Sequence, residues 1–96
     1  MSIHLKEIAD PEVIVEGHIP FRDPDGESGR FFVRVGRPFA HEGAYCCPLI
    51  VEGLFEGVRP IFGVGPVDSL MNAMVLVKRH FEKQTGLASE PLPKFD

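Results

Sequence analysis

The sequence predicts an α+β domain in which a four-stranded antiparallel meander, over about residues 13–64, packs on one long C-terminal helix over about 66–85. Three observations lead there. Apolar residues alternate with polar ones in successive short runs between Val13 and Val64, clusters of Gly, Pro and Asp divide those runs, and only Gly65 to Gly86 sustains a helical period. Consecutive strands joined by short turns pair as a meander by default.

Met1 to Glu12 is a lead-in that fits a strand or a single helical turn, because Ile3, Leu5 and Ile8 follow neither period and Pro11 interrupts. The first strand starts at Val13. Val13, Val15, Ile19 and Phe21 alternate with Ile14, Glu16 and His18, and Pro20 confines the strand to a sheet edge or ends it. Arg22 to Gly29 is a run of turn formers in which Asp25-Gly26 suits positive φ. Arg30 to Phe39 is the second strand, with Phe31, Val33, Val35 and Phe39 assigned to one face and Arg30, Phe32 and Arg34 to the other. His41-Glu42-Gly43 turns into a third strand over Ala44 to Leu54, with Tyr45, Cys47, Leu49 and Val51 on one face, and Val58 to Val64 is the fourth.

The helix is bounded at both ends. Pro66 suits a first helical position, Asp68 meets the positive end of the macrodipole, Lys78 to Lys83 place cations toward the other end, and Gly86 supplies a left-handed stop. At about 100° per residue, Val67, Leu70, Met74, Val77 and Phe81 form the expected buried stripe, with Met71 and Ala73 at its edges. Asp68, Asn72, Arg79, Glu82 and Lys83 take the solvent side. Leu87 to Asp96 reads as an extended tail, broken by Pro91 and Pro93.

At 96 residues the chain is one domain with enough length for a core. Its net charge of -4 repels phosphate backbones and anionic membrane surfaces, and no apolar run reaches the length of a membrane span. Met1 to Asp10 has no apolar stretch of the signal-peptide kind, so a cytoplasmic location is expected.

No motif assigns chemistry, and no catalytic, cofactor-binding or metal-binding residue is nominated. Neighbouring side chains of a strand point to opposite faces, so Cys46 and Cys47 read as two structural thiols. His4, His18, His41 and His80 show no metal-ligand spacing. Arg30 and Arg34, with Arg37 and Arg59 near them, offer an anion site but read better as a solvated sheet face. Gly63-Val-Gly-Pro66 lacks both the dinucleotide spacing and a P-loop lysine. Ile14-Val-Glu-Gly17 recurs as Ile50-Val-Glu-Gly53, but the flanks differ and no repeat is inferred.

Cys47-Pro-Leu-Ile-Val-Glu-Gly-Leu54, Gly63-Val-Gly-Pro-Val-Asp-Ser-Leu-Met-Asn-Ala-Met74 and Gly36-Arg37-Pro38 carry a resemblance. Through them the chain resembles a set of small bacterial proteins classed as a domain of unknown function, marked by a Cys-Pro-x-x-Ile-x-Gly-Leu strand and a Gly-x-Asp-Ser-Leu-x-Ala-Leu helix start. The match runs over roughly Val13 to Gly86, and this chain departs from it by inserting Gly65-Pro66 before Val67-Asp68. The resemblance implies a bacterial cytoplasmic protein and no particular activity.

Surplus apolar residues decide the functional expectation. Ile14, Phe32, Ile50 and Ile61 are placed on the sheet face away from the helix, and Leu76 and Val75 off the buried helical arc. The expected function is a protein-interaction or oligomerising module, a homodimer or the partner of another protein, with Ile14, Phe32, Arg34, Ile50, Ile61 and Leu76 as its interface. A small-ligand protein or enzyme with a sheet–helix pocket is the alternative, and nucleic-acid binding through the arginines is disfavoured.

Overall fold

A computed structural model describes residues 6–86, so the expected tail and Met1 to Leu5 lie outside the described residues. The elements are α1 (Lys6–Ala9), β1 (Val13–Arg22), β2 (Ser28–Gly36), β3 (Phe39–His41), β4 (Ala44–Val51), β5 (Arg59–Gly63) and α2 (Pro66–Thr85). The lead-in is therefore helical for one turn. All strand pairings are antiparallel: β1 with β2, β2 and β3 with β4, and β4 with β5. This is the predicted meander with its second strand broken in two. Pro38 has no N–H to give a ladder, and the Arg37 N–H goes to the Glu12 carbonyl at 2.7 Å, so pairing lapses between β2 and β3.

That lapse changes one facing. Phe39 pairs with Cys46, which lies on the sheet face away from α2, whereas unbroken alternation put Phe39 with Phe31, Val33 and Val35. A bulge does the same in β1. Val13 pairs with Gly36 and Val15 with Val35, leaving Ile14 without a partner, so Val13 and Val15 no longer share a face.

The core forms where Phe31, Val33 and Val35 of β2 and Cys47, Leu49 and Val51 of β4 meet Ala73 and Val77 of α2. Ile19, Phe21, Phe55, Ile61, Leu70, Leu76 and Phe81 pack around it. Gly29 stands opposite Phe21, whose ring covers it so closely that a Cβ would fall 2.6 Å from the ring tip.

Helix α2 has the predicted bounds, with Pro66 in its first turn and Gly86 at φ 69° closing it through a hydrogen bond to the Glu82 carbonyl. Its phase differs. Ser69, Ala73, Val77, His80 and Thr85 are buried, whereas Val67 and Met71 are 67% and 62% exposed and Met74 is also exposed. Gly63 explains the rotation. A Cβ on Gly63 would lie 2.4 Å from the Ser69 backbone nitrogen, so β5 and the first turn of α2 approach too closely for large side chains. Ser69 and Ala73 fill the seam and turn the bulkier residues to its flanks.

Candidate interaction surface

Strand β1 is the margin of the sheet, and among the described residues no strand pairs with its second edge. Val13 to His18 are all exposed. The β1–β2 register puts Val15, Gly17 and Ile19 on the α2 side with Val35, Val33 and Phe31. Because α2 rides mainly over β4 and β5, it leaves a groove beside β1. That groove measures about 240 Å³ and is walled by Val15, Ile19, Val33, Val35, Met74 and Val77. Glu16 and His18 flank it through their backbone, since alternation sends their side chains to the other face.

On that other face the apolar surface is partly covered by its own neighbours. Phe32 is half-buried, with the His18 ring 5.2 Å away and the Arg34 guanidinium 5.3 Å from its centroid. Arg34 Nε in turn donates to Glu16 at 2.7 Å, and the Phe32 N–H donates to the Glu52 carboxylate at 3.3 Å. Farther along, Pro11 and Pro48 close over Gly36, where a Cβ would lie 2.9 Å from each. Of the residues expected at an interface, Phe32, Arg34 and Ile50 gather on this face, Ile14 occupies the bulge, and two lie elsewhere. Ile61 pairs with Cys47 and packs on the core, because β5 enters the ladder in the register that turns Ile61 toward α2. Leu76 also packs on the core, a consequence of the rotated helix.

Of Arg30, Arg34, Arg37 and Arg59, three have separate partners. Arg34 is held by Glu16, Arg37 lies 3.5 Å from Glu12, and Arg59 stacks 4.8 Å over Phe55 at the far margin. At the start of α2 the Asp68 carboxylate accepts the Val64 N–H at 2.8 Å and occupies the place an anion would take. Asn72 reaches back to the Phe62 carbonyl at 2.8 Å, tying the same junction.

Cys46 and Cys47 are buried free thiols, with Cys47 Sγ donating to the Gly36 carbonyl at 3.4 Å. Burial pushes both up to about 11. Among the described residues no three of His, Cys, Asp and Glu gather where they could hold a metal ion.

Sequence reasoning missed His80. Its side chain is buried, its Nε2 lies 3.2 Å from the Glu52 carbonyl, and its ring stands edge-on to Phe31 at 4.7 Å. A carbonyl only accepts, so Nε2 is the donor, while Nδ1 finds no hydrogen-bond partner among the described residues. Gly53, at φ 84°, sits against the same ring, where a Cβ would lie 3.6 Å from Nε2. His80 thus pins the turn after β4 to the helix. Its i, i+3 relation to Val77 and i, i+7 relation to Ala73 could have suggested burial.

No helix among the described residues is long and apolar enough to cross a membrane. Comparison of the chain with protein-family models, curated proteins and solved structures finds no match.

Proposed function

We propose that this chain is a protein-interaction and oligomerising module whose contact surface is the outer edge of β1 with the groove beside α2. The observation that carries this is an exposed apolar strand margin, Val13 to Val15, running into a groove walled by aliphatic side chains and Met74. An added strand would find backbone donors and acceptors along the edge and sockets for alternate side chains in the groove. Methionine suits such a wall because its unbranched chain adapts to what enters. Glu16 and His18 turn away from the groove, which leaves its walls apolar and favours a protein contact over acid–base chemistry. The buried thiols suit a reducing cytoplasm, and kinship with the small bacterial family belongs to the same proposal, supported by the Cys47–Leu54 and Gly63–Met74 segments.

A photo-crosslinking side chain at Val15, expressed in the source cells, tests this against the same probe at Glu56 in the β4–β5 connection. The expected result is a discrete covalent protein adduct from position 15 and none from position 56. No adduct from position 15, or the same adducts from both, would contradict the proposal.

A further inference from the structure

We infer that the occupant of the β1 edge is a second copy of this chain, paired antiparallel to β1 about a two-fold axis through Gly17. The inference rests on β1 and its groove being an interaction surface, as proposed above, and adds the partner and the register.

The irregularities of β1 fix where regular pairing can occur. Ile14 sits unpaired in the bulge between Val13 and Val15, and Pro20 has no N–H. Both features normally discourage strand addition. Between them runs the regular window Val15 to Ile19, and its middle residue is Gly17. A two-fold through Gly17 therefore uses the whole window and sets each copy's bulge against the other's proline, where neither needs a ladder bond.

The side chains of the window match under the same operation. Val15 stands opposite Ile19 of the second copy and Glu16 opposite His18, so aliphatic meets aliphatic on the groove face, and on the other the carboxylate that holds Arg34 meets the imidazole that lies against Phe32. Moving the axis to Glu16 sets two carboxylates against each other and brings the bulge into the paired window. Moving it to His18 sets Glu16 against Pro20. Only the Gly17 axis avoids these conflicts. On the groove face Val15 and Ile19 lie beside Met74 and Val77, so the apolar walls of two copies become continuous across the axis.

Gly17 also makes the register measurable. A Cβ built on it meets nothing within 4 Å, so substitutions there leave the protomer's own packing undisturbed. The native thiols Cys46 and Cys47 are buried and do not compete. In the proposed pairing two Gly17 Cα atoms face each other at about 4.5–5.5 Å, within reach of a disulfide, whereas the two Glu16 positions lie offset by two residues and beyond the limit of about 7 Å.

The experiment oxidises full-length Gly17→Cys, Glu16→Cys and His18→Cys with oxidised glutathione and follows parent and Gly17→Glu by light scattering. Gly17→Cys is expected to form a covalent dimer, while Glu16→Cys and His18→Cys form it only when mixed with each other. The parent is expected to scatter as a dimer and Gly17→Glu, with an unchanged circular dichroism spectrum, at half that mass. A parent monomeric at every concentration, or a Glu16→Cys that crosslinks alone in preference to Gly17→Cys, overturns the inference. If the Val15 probe then captures a different protein, the interaction surface survives and the second copy does not. If it captures nothing, both fall.

Discussion

Replacing His80 by alanine removes an imidazole that fills space against Phe31 and ties the Glu52 carbonyl to α2. The cavity and the lost donor together should cost about 2–4 kcal/mol, read as a lowered urea midpoint. Parental stability of that variant would show that the turn after β4 needs no pin. The cysteines make a second residue-scale prediction. Their ordinary value is 9.0 and burial lifts it to about 11, so at pH 8 the thiolate fraction falls about a hundredfold, and alkylation should be far slower in the native than in the unfolded chain. The folded chain holds these protons more tightly than the unfolded one. Their contribution to stability is therefore intact below pH 9 and lost as the pH rises through about 11. Native thiols that react at the unfolded rate would place them on the surface.

At the scale of elements, the ends of α2 were legible in the sequence and its rotation was not. Pro66 and Gly86 act locally, through a missing N–H and a tolerated positive φ, so composition announces them. The phase depends on Gly63, a residue outside the helix, whose lack of a Cβ draws Ser69 and Ala73 into the seam. A hydrophobic period rewards large residues and cannot register that small ones win where backbones touch. The facing of Phe39 and of Val13 failed for a similar reason, because a lapse at Pro38 and a bulge at Ile14 each shift a strict alternation by one. Of the surface, the exposed apolar Ile14 was legible, while the groove needed the offset of α2 from β1. The seam gives a paired prediction: Ala73→Leu should destabilise by about 1–3 kcal/mol by overpacking, and Met74→Ala by less than that. Thermal melts that reversed this order would restore the phase expected from periodicity.

At the scale of the molecule, the helix covers β4 and β5, while among the described residues β1 is left with an open edge and a half-open inner face. In the proposed dimer, pairing that edge with a second chain would give its marginal backbone groups a partner and would cover Val15 and Met74. Alternate amides of an edge strand point outward and exchange quickly in a monomer, so association must change them in a pattern of period two. Residue-resolved amide hydrogen exchange across β1, at low and high protein concentration, therefore tests the interaction surface most directly. The prediction is that the fast-exchanging amides between Val15 and Ile19 slow with concentration while those of the β4–β5 connection do not; β1 amides that exchange at the same rate at every concentration, in buffer and in cell extract alike, would contradict it.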